Sequence, residues 1–171
     1  MNFKIIVAMD KKNGIGLNNA LPWKFKKDMY FFREMTKGDG NNAIVMGKNT
    51  YLSINNKLPD RDNLVLSTSL TEIPDHSFLF KNIDDIVLFC KNKKYDNVWI
   101  IGGETIYKQF MELQYVSEIY ITEIDAIYNC DTFFPTIPID FQLSTTISSI
   151  TENNISLVFK KYFSHKSIIN M

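Results

Sequence analysis

The sequence predicts one α/β domain spanning residues 1–171, with a mixed, mostly parallel sheet of about eight strands, flanking helices and a C-terminal antiparallel hairpin. Three observations predict it. A chain of 171 residues, 45% hydrophobic and 22% charged, has the composition of a globular domain whose core is large enough to hold a pocket. Short apolar runs alternate with helical ones, as expected for strands buried on both faces under crossover helices. Near the end, "QLSTTISSI" and "ISLVFKKYF" flank the turn signal "TENN", which reads as a closing hairpin. No repeat, linker or low-complexity run divides the chain.

The first strand, "FKIIVAM", carries a lysine and ends at Asp10, too short for a signal peptide or a membrane span, so a soluble, cytoplasmic protein is expected. A loop over 13–22 follows; it opens with "GIG" at 14–16 and is long enough to act as a flap over a pocket. A helix is predicted over 24–36, then the strand "NAIVM" and the short helix "KNTYLSI", beginning near Thr50. The strand "NLVLS", the helical "IDDIVLFCK", the strand "NVWII", a helix over 104–111 and the strand "EIYITEI" complete the parallel part.

Lys plus Arg equals Asp plus Glu at 19 each, so no global field draws the chain to nucleic acid or an anionic membrane. Cys90 and Cys130 lack a CxxC partner, and neither His76 nor His165 stands at ligand spacing from them. Reduced, structural cysteines and no metal site are expected.

In the first helix, Phe25, Met29, Phe32 and Met35 fall on one side and Lys26, Tyr30, Arg33 and Glu34 on the other. Asp28 projects from the apolar side, three residues from Phe25 and four from Phe32. It is either a core acid satisfied by a buried partner or a carboxylate facing a pocket. Arg61, in "LPDRDNLVLS", is a candidate partner or a loop arginine. Trp23 precedes the helix, and its indole N–H needs an acceptor if buried.

Ligands of parallel sheets bind beyond the carboxyl ends of the strands, so the strand-to-helix junctions are the places to look. At "VMGKNT", Gly47, Lys48, Asn49 and Thr50 offer amides, a cation and a hydroxyl, either an anion site or a glycine turn with a solvated lysine. At "WIIGGETIY", Gly102 and Gly103 permit close backbone approach to a ligand, or merely a tight turn, and do not form a GxGxxG fingerprint. Periodicity alone names no reaction.

Together these segments resemble the dihydrofolate reductase family. "IVAMDKKNGIGLNNALPWKFKKDMYFF", "VMGKNTYLSI", "LPDRDNLVLS", "WIIGGETIYKQF", "IYITEI" and "CDTFFP" follow in family order and cover nearly the whole chain. The resemblance implies NADPH-dependent reduction of 7,8-dihydrofolate to tetrahydrofolate, by hydride transfer to pterin C6 with protonation of N5. It also implies a monomer that binds antifolate inhibitors. Asp28 matches the pterin-binding acid, Thr122 the hydroxyl that supports it and Trp23 the indole that orders a nearby water. Leu21 matches the loop residue that covers the reacting rings. Ile6, Val7, Met29, Phe32 and Ile54 match contacts of the pterin and aminobenzoyl groups, and Arg61 the clamp on the glutamate α-carboxylate.

Ala8, Ile15, Gly16, Ile101, Gly102, Gly103 and Tyr107 match the nicotinamide surroundings, with Ile101 also at the substrate. Between the two glycines the family usually has a cis peptide. Gly47, Lys48, Asn49, Thr50, Glu104, Thr105 and Ile106 match the rest of the cofactor site, with Ser67, Thr68 and Lys81 near the adenosine 2′-phosphate. The sequence departs from some members at Thr68 and Thr105, where arginine occurs elsewhere, and at Phe133, where several have histidine. Asp131 matches the residue that braces the mobile loop. A pyrimidine reductase of riboflavin synthesis is similar in fold but lacks the helix acid.

Overall fold

Apolar side chains on both faces of the first strand, β1 (Phe3–Met9), require that it lie inside a sheet covered on both sides. The computed structural model describes residues 3–55, 57–74 and 76–165. After β1 come β2 (Gly14–Gly16), α1 (Lys26–Lys37), β3 (Asn42–Gly47), α2 (Lys48–Ile54), β4 (Asp62–Leu66), β5 (Phe78–Phe80) and α3 (Ile83–Lys93). The chain continues through β6 (Asn97–Gly102), α4 (Glu104–Glu112), β7 (Val116–Ile124), β8 (Thr132–Phe133), β9 (Phe141–Glu152) and β10 (Ile155–Ser164).

Eight strands form one sheet in the order β5-β4-β3-β6-β1-β7-β10-β9. All neighbours from β5 to β7 are parallel, whereas β10 runs antiparallel to both β7 and β9. Alternation divides the core. Phe3, Ile5 and Val7 join Val45, Ile100, Ile121 and the α3 and α4 residues Ile86 and Phe110 on one face. Ile6, Ile44, Met46, Trp99 and Tyr120 pack on the other face against Phe31, Phe32 and Met35 of α1 and Tyr51 and Ile54 of α2. The carboxyl ends of β1, β3 and β6 thus open between helices on opposite faces.

Several local expectations change. The first helix starts at Lys26, and α2 starts at Lys48 rather than near Thr50. Met29 does not pack into the core: 53% exposed, it looks onto open space, while Phe31 and the fully buried Thr36 take inward positions. The 13–22 segment is not all loop, because Gly14 and Gly16 pair with Phe133 and Thr132 in a separate two-stranded ribbon. In "TENN" only Asn153 and Asn154 turn, both at positive φ as a two-residue hairpin requires, and Thr151 and Glu152 belong to β9. Among the described residues no helix is long and apolar enough to cross a membrane, and no group of three or more His, Cys, Asp or Glu is placed to hold a metal.

Candidate active site

A cleft of about 1890 Å³ opens at the carboxyl ends of the parallel strands, and one wall of it is α1. All the candidate catalytic, substrate and cofactor residues named from the sequence line it except Gly102, which lies behind the surface with Tyr107 packed on it. A smaller pocket of about 520 Å³ between α4 and the end of β10 contains none of them.

Asp28 occupies the first turn of α1 and is half-buried. Burial raises its carboxyl above the ordinary range; a hydrogen bond with the Thr122 side chain works the other way, and the charge of Glu152 adds to the rise. Thr122 itself is buried, in register with Ala8 of β1 and Phe159 of β10, so the sheet fixes its hydroxyl. Trp23 is buried nearby against Tyr128, and its Nε1 has no acceptor among the described residues.

Two turns along the same helix stripe stands Thr36, roughly 12 Å from Asp28 by the rise of an α-helix. Its hydroxyl donates to the Phe32 carbonyl at 2.8 Å and accepts from Nη1 of Arg61 at 2.5 Å. Arg61 also donates through Nε to the Pro59 carbonyl at 2.7 Å. These bonds use two of the guanidinium's five N–H groups and hold it in place. One helix face therefore presents an acid at one end and a buried, braced cation at the other. Thr36 escapes a reading of the sequence because its role depends on a residue 25 positions away.

The floor is backbone. The Gly102–Gly103 peptide is cis, and Gly102 has φ 113°, a conformation that disfavours any side chain. A Cβ on Gly102 would lie 3.0 Å from the Tyr107 hydroxyl, which donates to the Ile6 carbonyl at 3.1 Å, and one on Gly47 would lie 3.0 Å from Ile106. At the far end, Lys48 donates to Ser69 Oγ at 3.1 Å and Lys81 to the Leu70 carbonyl, so two cations flank the Ser67–Leu70 turn. The Ser67 hydroxyl accepts from the amides of Ser69 and Leu70, which ties it to that turn. Glu104 accepts from the Phe133 amide, joining α4 to the 131–134 segment.

Leu21, 57% exposed, leads from the flap into the cleft. The flap is anchored by acids. Asp131 Oδ2 accepts from the Asn18 amide at 2.9 Å. Buried Asp10 accepts from the amides of Lys12, Gly14 and Tyr128. Burial opposes the Asp10 charge, but the three amides and the Lys12 cation outweigh it and hold the carboxyl below its usual range. The sequence gives no sign of this anchor, because Asp10 there is only the residue at which the first strand stops.

The raised ionisation of Asp28 has a thermodynamic consequence. An acid whose folded pKa lies above its ordinary 3.8 costs no stability below that value and an increasing amount as pH climbs through the folded value. Asp28→Asn should therefore make the ligand-free protein more stable than wild type at pH 7, with the difference fading towards pH 4. Urea denaturation across this range checks it; a variant that is less stable at pH 7 contradicts it.

The sequence matches the family model for dihydrofolate reductase over residues 2–164. It is 36% identical over 152 residues to the dihydrofolate reductase of Drosophila melanogaster, covering 83% of this chain and 84% of that protein. It is 36% identical to the dihydrofolate reductase of Gallus gallus, with 96% of each chain covered. A viral dihydrofolate reductase of Saimiriine herpesvirus 2 is 40% identical over 144 residues, covering 77% of this chain and 68% of its own. With the fold in agreement with that match, the chain belongs to the dihydrofolate reductase family of enzymes.

Proposed function

We propose that this protein reduces 7,8-dihydrofolate to 5,6,7,8-tetrahydrofolate with NADPH, and that residues 1–171 form one catalytic domain for that reaction. The observation that carries the reading is the single face of α1 with Asp28 at one end and the Thr36-braced Arg61 at the other. An elongated ligand with hydrogen-bond donors on a ring at one end and a carboxylate at the other complements that face. Dihydrofolate has both.

Asp28 accepts from the pterin N3 and 2-amino groups, and Thr122 keeps its carboxyl turned towards the ring. Phe32, Ile54, Met29, Ile6 and Val7 enclose the ring and the aminobenzoyl group in apolar surface, while Arg61 pairs with the glutamate α-carboxylate by charge-assisted hydrogen bonds. The carboxylate meets the pterin on the side away from N5. The proton therefore reaches N5 through water, oriented by the Trp23 N–H, which has no acceptor among the described residues.

Gly47 and Gly103 line the cleft without side chains, so a flat ring can lie against backbone there, and Gly102 lets Tyr107 pack closely behind it. When bound there, the nicotinamide supplies the hydride. Ala8, Ile15, Gly16, Ile101, Gly103 and Tyr107 surround the ring, and Leu21 closes over it to exclude water. The first turn of α4, with Glu104, Thr105 and Ile106, and the Lys48, Asn49 and Thr50 segment receive the phosphates. Lys48 and Lys81, with Ser67 and Thr68, face the adenosine 2′-phosphate. With threonine at 68 and 105, the discrimination between NADPH and NADH falls to lysine point charges rather than a planar arginine fork.

Mixing the protein with dihydrofolate and NADPH and following the loss of reduced-nicotinamide absorbance tests the reaction; binding of both ligands with no turnover contradicts it. Arg61→Leu should weaken dihydrofolate by roughly 2–4 kcal/mol while barely affecting a dihydropterin that lacks the glutamyl tail. Equal losses for the two substrates remove Arg61 from this role. Lys48→Gln should raise KM for NADPH at least about tenfold more than for NADH and flatten the salt dependence of NADPH binding. If both cofactors suffer alike, the lysine serves the pyrophosphate or the fold.

A further inference from the structure

Glu152, the last residue of β9, does not line the cleft, yet it is tied to the helix that carries Asp28. Its Oε2 accepts from the Lys26 amide at 2.7 Å and its Oε1 from the Lys27 amide at 2.9 Å. These are the first two residues of α1, whose own N-cap residue, Phe25, makes no side-chain capping bond. The cap comes instead from a residue 126 positions later in the chain.

The carrier of that cap is firmly built. Asn153 and Asn154, at φ 52° and 62°, make the tight turn, and Ile155 pairs with Glu152 across it. Ile150 and Ile155 pack on the cluster of Trp23, Phe25, Ile124, Leu157 and Phe159, so the hairpin tip and the entry to α1 share one apolar core. Asp28 is the third residue of the capped helix.

We propose that Glu152 is a positioning residue for catalysis: from the hairpin tip it caps the first turn of α1, holds the Asp28 carboxyl against Thr122, and imposes its negative charge on that carboxyl. Its effect on turnover rests on the proposed dihydrofolate reduction; its effect on Asp28 does not.

Among the described residues, Glu152 is the charge that opposes ionisation of Asp28. From α1 come the Lys26 and Lys27 cations, which together with their amides hold Glu152 itself below the usual carboxylate range, the Lys27 amide foremost. From β7 comes the Thr122 hydroxyl, and from β10 the apolar Leu157 and Phe159. The nearby Lys160 is held at 2.6 Å by Glu123. Burial acts first in raising Asp28, Thr122 acts against it, and Glu152 contributes to the rise from a partly solvated position where salt can screen it.

Two substitutions separate the cap from the charge. Glu152→Gln keeps the shape and one acceptor oxygen but loses the charge; Glu152→Ala loses both. The test uses the full chain without ligand, labelled with ¹³C at aspartate carboxyls, the Asp28 signal being assigned by its absence in Asp28→Asn. In E152Q, Asp28 should titrate at lower pH than in wild type, a difference that narrows in high salt, and the pH profile of hydride transfer should move the same way. In E152A, amide exchange at Lys26 and Lys27 should quicken about fivefold or more, and KM for dihydrofolate should rise; E152Q, whose single amide oxygen can serve one of the two N–H groups, should recover both in part.

Identical Asp28 titration in wild type and E152Q, or unaltered exchange at Lys26 and Lys27 in E152A, overturns the proposal. Should E152A fail to fold, the E152Q titration decides alone. Shifts in titration and exchange in a protein that does not reduce dihydrofolate would sink the proposed reaction and leave the brace standing.

Discussion

A carboxylate half-buried on the inner stripe of α1 is the constraint around which the rest of the cleft is organised. Removing a charge from water is costly, and Asp28 meets that cost with one hydroxyl from β7 and an ionisation shifted towards the neutral form. Such a group persists only if its helix cannot rotate it into solvent or into the core. Phe25 and Phe31 anchor the helix in the apolar layers, Thr36 is pinned by Arg61, and Glu152 holds the first turn. The sheet supplies the partner: Thr122 sits between β1 and β10, in a register fixed by long parallel and antiparallel ladders.

Three acids around the site hold backbone amides. Asp10 gathers three amides at the base of the flap, Asp131 holds the amide of Asn18, and Glu104 holds that of Phe133. An amide bound to a carboxylate is a stronger tie than one bound to a neutral acceptor. A short ribbon such as β2-β8 gains what its few ladder bonds cannot supply. The flap is thereby held at Gly14 and at Asn18 while Leu21, further along, stays exposed at the cleft. Rigid attachment with an uncovered tip is the arrangement expected of a segment that closes over a ligand.

The long elements were legible because each carries its own period. The apolar runs of β1, β3, β6 and β7, and the helical spacing of α1 and α4, can be read in windows of six to twelve residues. Asp28 was legible for the same reason, as a charged residue that breaks a local pattern. β2, β5 and β8, two or three residues long, have no period to detect. Met29 satisfied the helical pattern and still faces the cleft, because periodicity identifies an apolar stripe without saying whether a protein core or a ligand completes it. Thr36 and Glu152 were illegible for a different reason. Their roles arise from contacts across 25 and 126 residues, which only the assembled fold creates.

Asp28 is proposed to serve chemistry rather than architecture. Single-turnover hydride transfer from NADPH to dihydrofolate, compared between wild type and Asp28→Asn from acid to neutral pH, tests it most directly, with cofactor deuterated at the transferred position to establish that the chemical step is observed. A loss of about 100-fold or more is expected at neutral pH in a folded variant, shrinking in acid where solvent protonates the substrate without the carboxyl. A folded variant that transfers hydride at the wild-type rate at neutral pH would contradict it.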